Sequence, residues 1–205
     1  MKSLKLASAV LAGLLLAGLL AACASPTPAP VLLTLPPAAL PAAAPAPAAA
    51  ASAPVLAVRR VNIPEYLVAR RVRYRADAST LAEWPNTYWA ERIEIGVSRE
   101  FVSALRQQLP GWTLCDTNCG DRIPALSLQV DLVPMDYLRA SQKLQAHARI
   151  TVSGGGAVPR ELNTFEQRYE LPGVADNAQA QAQAIAELVR QVAAAAAPLV
   201  LAAKP

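Results

Sequence analysis

The sequence predicts an α/β domain: a mainly antiparallel sheet with two amphipathic helices packed on one face. Three observations predict it. First, two long runs alternate. Leu126, Leu128, Val130 and Leu132 are interleaved with Ser127, Gln129 and Asp131. Leu144, Ala146, Ala148, Ile150 and Val152 are interleaved with Gln145, His147, Arg149 and Thr151. A period of two places one face of each strand in the core and the other in water. Second, Ile93, Val97, Phe101, Leu105 and Leu109 recur every fourth residue, which is a helical stripe. Third, Ile185, Leu188, Val189, Val192, Ala196 and Leu199 make a second stripe near the C-terminus. Two one-sided helices and a half-wet sheet bury their apolar surfaces best against each other.

The first residues do not belong to that domain. Lys2 and Lys5 form a basic start, and Leu6 to Leu20 is a nearly unbroken apolar run. Its length of about 15 residues suits a signal peptide and is short for a membrane span. The next residues, Leu20-Ala21-Ala22-Cys23, resemble a bacterial lipobox. That resemblance implies a lipoprotein signal over 1–22 and acylation at Cys23, with 23–30 as the lipidated N-terminus and a short tether. One acyl chain holds a protein at a membrane only marginally, whereas several on one cysteine make a lasting anchor. Ala24 stands where inner-membrane retention signals carry aspartate, which implies sorting to the outer membrane. Lys2 and Lys5 leave with the signal, so the formal charge falls from +4 to about +2. That balance is wrong for nucleic acid. With Cys23 acylated, Cys115 and Cys119 remain as an even pair. In an oxidising compartment they are expected to form a disulfide across a turn-rich loop.

The expected domain runs over 31–201 and carries an Ala/Pro-rich insert at 36–54. Val31 to Leu35 reads as a short strand. The tract behind it cannot build a core and favours extended polyproline geometry, with a reach of roughly 60 Å. It reads equally as a tether or as a loop behind a first strand. Val55 to Ile63 is β-rich and ends at Pro64. Arg70 to Ala76 alternates, with Arg71, Arg73 and Arg75 on one side and Val72, Tyr74 and Ala76 on the other. A helix is expected from Trp89 to Leu109, stopped by Pro110-Gly111, followed by a short strand to Cys115. After the two alternating runs, Gly154-Gly155-Gly156 turns the chain into a strand over 162–171, with Phe165, Tyr169 and Leu171 on one side. The last helix is expected over 177–201, with Asp176 as its N-cap and Pro198 as an end or kink.

Residues that carry catalysis are scarce. His147 is the sole histidine, and it falls on the polar side of a strand. No nucleophile elbow, phosphate loop, dinucleotide fingerprint or metal-ligand cluster is present. The sequence therefore predicts neither an enzyme nor a bound cofactor. Two clusters remain as candidate contact surfaces. Arg59, Arg60, Arg70, Arg71, Arg73 and Arg75 fall within a short stretch, with Arg71, Arg73 and Arg75 on one strand face, and read either as a surface for anionic lipid or an acidic partner, or as charges that guard an edge strand. Tyr66, Trp84, Tyr88 and Trp89 read either as core packing or as a partner surface.

The order of these pieces carries a resemblance. A lipobox is followed by Leu33-Thr34-Leu35-Pro36, then by Val61-Asn62-Ile63-Pro64-Glu65-Tyr66-Leu67, an arginine-rich strand, and Trp89-Ala90-Glu91. The chain resembles the ABC-type transport auxiliary lipoproteins, a family that includes paraquat-inducible-type lipoproteins. The resemblance implies an outer-membrane lipoprotein of an intermembrane lipid transport system. Its implied partners are an MCE-domain protein that bridges the periplasm and an inner-membrane ATPase and permease. It also implies a homo-oligomer. Docking is the implied mode of action. A structural or assembly lipoprotein of the pilotin kind is the alternative.

Overall fold

In the computed structural model, residues 28–37, 53–116, 119–155 and 160–203 are described. Residues 1–22, Cys23 and most of the 36–54 insert lie outside them. From Val31 onward the chain forms one unit. Its strands are β1 (Val31–Leu33), β2 (Val55–Val58), β3 (Arg71–Arg75), β4 (Leu81–Trp89), β5 (Thr113–Cys115), β6 (Leu126–Leu138), β7 (Lys143–Gly154) and β8 (Glu161–Pro172). Its helices are α1 (Ile93–Gln108) and α2 (Ala178–Ala202).

All eight strands join one sheet. β6 pairs antiparallel with β7 along nearly its whole length, and β7 pairs likewise with β8. The opposite edge of β6 is divided. Near its start it takes β2 in parallel, with Leu56 to Val58 beside Leu126 to Leu128. At its end Leu138 meets Arg75 of β3, again in parallel. β5 extends the β2 branch in parallel. β4 extends the β3 branch antiparallel, and β1 closes that branch in parallel. The sheet is thus mixed, which corrects the expectation of a mainly antiparallel one. Alternation reports which face a residue occupies and is blind to strand direction. Short hairpins enforced the antiparallel pairs, and the longer connections before and after α1 permitted the parallel ones.

Two strands were hidden or cut short by bulges. In β6 the buried residues are Leu126, Leu128, Val130 and Leu132, then Met135 and Tyr137. Parity flips at Val133-Pro134, where the register with β7 shifts. One extra residue there returns Met135 and Tyr137 to the core face. In β4 the buried set is Trp84, Thr87 and Trp89. Parity flips at Pro85-Asn86, and Asn86 has a positive φ of 50°. Proline is tolerated inside a strand at such an irregularity. Trp89 therefore ends a strand, and α1 starts at Ile93.

Both helices feed one contiguous core with the apolar face of the strands. α1 buries Ile93, Val97, Phe101, Ala104 and Leu105. α2 buries Ile185, Leu188, Val189, Val192 and Ala196. By length and composition α2 could cross a membrane, but more than half of its most apolar stretch is buried within the domain. Its N-cap is Asn177, whose side chain accepts the Ala180 N–H at 2.8 Å; Asp176 has another role. The helix continues through Pro198. Tyr169 and Leu171 are buried as expected, whereas Phe165 is exposed.

A buried polar bridge joins α2 to the β3–β4 branch. Trp84 Nε1 donates to Gln181 Oε1 at 2.7 Å, and Gln181 Nε2 donates to the Arg73 carbonyl at 2.7 Å. Gln181 is almost fully buried. Cys115 and Cys119 are disulfide-bonded, with Cα atoms 5.2 Å apart.

Two stability outcomes are expected. Gln181→Ala strips a buried indole N–H of its acceptor and should cost about 1–3 kcal/mol. Urea unfolding should show a lower midpoint with an unchanged slope. Cys115→Ser opens a short ring and should cost about 2 kcal/mol, read as the same midpoint shift under non-reducing conditions.

Candidate functional site

The β3–β4 ladder and the segments around it assemble the predicted arginines and tyrosines. Alternation in β3 turns Val72 into the core and leaves Arg71, Arg73 and Arg75 on the other side. Glu83 on β4 stands opposite Arg73 in the ladder. It takes Arg71 Nε at 3.4 Å and Arg73 Nε at 3.3 Å. Arg73 Nη1 also donates to the Tyr66 carbonyl at 2.9 Å. Arg75 Nη2 donates to Asp136 Oδ1 at 3.1 Å, and the Tyr66 hydroxyl donates to the same oxygen at 2.9 Å. The Arg75 guanidinium lies over the Tyr66 ring, and that of Arg71 over Tyr88. Burial, together with the neighbouring Asp136 carboxylate, pushes the Tyr66 hydroxyl above its usual range. The hydrogen bond to Asp136 pushes Arg75 up.

β3 is paired with β4 along its length and meets β6 only where Arg75 stands beside Leu138. The aromatic set divides. Tyr66 and Tyr88 are partly exposed beside the arginines, whereas Trp84 and Trp89 are buried in the core. Trp84 and Tyr74 also form the floor under a cation that sequence reading missed. Arg139 lies 4.5 Å from the Trp84 ring centre and 5.1 Å from that of Tyr74. Its Nη1 donates to the Tyr74 hydroxyl at 2.9 Å. Its other nitrogens grip Asp176 at 2.8 and 3.1 Å, which is why Asp176 does not cap α2. The bidentate guanidinium holds the Asp176 carboxyl below the usual carboxylate range.

Glu83, Asp136 and Gln181 were missed as well. Gln181 had a signal: it is a polar residue four positions before Ile185 in the apolar stripe. Glu83 and Asp136 had none, because both depend on strands whose alternation is broken by bulges.

The arrangement holds charge and aromatic surface in fixed places. His147 Nε2 lies 3.5 Å from Glu166 Oε2 on the solvent side of β7 and β8. Among the described residues no group of three or more histidine, cysteine, aspartate or glutamate side chains could hold a metal.

The described residues form an α/β domain with a fixed arginine–tyrosine face. Residues 34–193 match the family model of the ABC-type transport auxiliary lipoprotein component, and the chain belongs to that family. The family is one of transport components and is not a known enzyme family. No curated protein matches the sequence. Two solved structures share the fold. An uncharacterized protein is 18% identical with a TM-score of 0.67, over 84% of this chain and 99% of its own. Protein XCC0632 from Xanthomonas campestris, of the family DUF330, is 15% identical with a TM-score of 0.61, over 83% of this chain and 92% of its own.

The Asp176–Arg139 pair sets an expected pH response. A carboxyl with a lowered folded-state pKa contributes stability above the unfolded carboxylate range and loses it as pH falls through the folded value. Acid titration should therefore loosen Arg139 from the Trp84 ring below the usual carboxylate range. The emission of the tryptophans should report that step, and Asp176→Asn should abolish it.

Proposed function

We propose that this chain is anchored through Cys23 in the outer membrane, faces the periplasm and serves an ABC-type lipid transport system. It acts by docking to the MCE-domain protein that spans the periplasm. The observation that carries this reading is the family match over 34–193. The lipobox-like Leu20-Ala21-Ala22-Cys23 behind an apolar run supports the anchor.

The chemistry of docking follows from the β3–β4 face. Arg71 and Arg73 share the single carboxylate of Glu83, which leaves a surplus of positive charge for an acidic partner surface. Tyr66 and Tyr88 offer rigid aromatic area beside it, while Trp84 and Trp89 support the face from the core. An anchor confines the domain to the membrane plane, so a modest interface gains from high effective concentration. Only the seven residues Ala24 to Pro30 separate Cys23 from β1, a leash of about 25 Å at full extension.

The test is a pull-down of the tagged full chain from solubilised membranes, with partners identified by mass. An MCE-domain protein together with its ATPase and permease is expected, and Arg71→Glu combined with Arg73→Glu should reduce their recovery severalfold. Labelled palmitate should enter the wild type, and Cys23→Ser should lose both the label and its place in the outer-membrane fraction. Recovery of a secretin without an MCE-domain protein would assign the chain to channel assembly.

A further inference from the structure

A second cationic region lies away from the β3–β4 face, where α1 passes the ends of β2 and β5. A groove of about 390 Å³ opens there between Ile95, Arg99, Val102 and Arg106 on one side and Arg59, Arg60 and Leu114 on the other. Its volume is in the range of small-molecule sites. The floor is aliphatic: Ile95 is 41% exposed, and Val102 and Leu114 are half-buried. Arg99 is held by Glu91 and Glu100. Arg59, Arg60 and Arg106 are exposed, and none has an ion-pair partner among the described residues. This contrasts with Arg71, Arg73 and Arg75, each of which faces a carboxylate. Asp116 at the β5 end is the one carboxylate lining the groove, so the net charge there is strongly positive. Arg59 and Arg60 also line an adjoining, larger cleft of about 760 Å³, together with Arg122 and Asp116.

We propose that this groove binds an anionic phospholipid, with the phosphodiester held by Arg59, Arg60 and Arg106 and the first methylenes of its acyl chains laid on Ile95, Val102 and Leu114. Guanidinium groups match phosphate oxygens in paired hydrogen bonds, and an aliphatic floor gains from covering methylenes. A protein partner fits less well. The lining holds no aromatic side chain of the kind that anchors protein interfaces. The proposal rests on the reading that the chain serves lipid transport, and it adds a lipid contact to a component otherwise assigned only to docking.

The full lipidated chain is reconstituted in vesicles of phosphatidylcholine containing a trace of photoactivatable phosphatidylglycerol, and the crosslinked peptides are identified by mass. Label is expected on α1 and on the segment after β2. Combined Arg59→Gln, Arg60→Gln and Arg106→Gln should reduce it by about tenfold or more. These exposed side chains carry no core packing. Arg160→Gln with Arg168→Gln, exposed and outside the groove, should leave it unchanged. Equal labelling by photoactivatable phosphatidylcholine would overturn the proposal, and so would a triple variant that labels like the wild type. Displacement of the lipid by inorganic phosphate would identify a phosphate site, and displacement by an oligoglutamate peptide would identify a protein-docking site; either overturns the lipid assignment. The vesicles contain no transport partner, so loss of labelling with partner capture intact removes only this groove. Labelling without capture of an MCE-domain protein removes the docking reading instead.

Discussion

The sheet depends on one strand with a divided edge. β6 hydrogen-bonds to β7 along one side, while its other side holds β2 near one end and β3 near the other. This division makes two branches out of one sheet. The β2 branch carries the disulfide loop, and the β3 branch carries the arginine–tyrosine face. The bulge at Val133-Pro134 keeps β6 useful to both, because its extra residue returns Met135 and Tyr137 to the same core that Leu126 to Leu132 occupy. A strict two-residue period would have turned the second half of the strand outward.

The charges on the β3 branch are arranged to stay put. Arg71, Arg73, Arg75 and Arg139 each meet a carboxylate and an aromatic ring or backbone carbonyl. Exposed ion pairs of this kind add little stability individually; what they supply is a fixed geometry. Beneath them, Gln181 links α2 to Trp84 and to the backbone of Arg73, so the face is tied to the core through hydrogen bonds as well as apolar contact. Such a surface suits recognition. The groove beside α1 differs in kind, because three of its four exposed arginines have no ion-pair partner among the described residues and lie next to aliphatic side chains.

Much of the architecture was legible in the sequence, because periodicity survives wherever a strand or helix is regular. β7 and both helical stripes were read nearly at their observed bounds, as was the first half of β6. The sheet's mixed direction was not legible, since Leu56 alternates identically whether its neighbour runs parallel or antiparallel. β4 was lost because Pro85 and Asn86 break its period, and Trp89 was read into the helix for the same reason. At the candidate site the residue types were visible and their partners were not. Arg71 and Arg73 announce charge, but only the ladder with β4 brings Glu83 to them. Arg139 meets Trp84 and Asp176 across separations of 55 and 37 positions, where no local pattern could connect them.

The placement of α2 bears on the order in which this protein can fold. The helix packs on β6, β7 and β8 and follows them in the chain. Until residues 178–202 emerge, the apolar faces of the three longest strands have nothing to close over them, and β1 must wait for β4, more than fifty residues behind it, before it has a neighbour. Long-range pairings of this sort form slowly. The sheet and the helix that covers it therefore close together as one late step, and no single branch of strands is finished before α2 is in place.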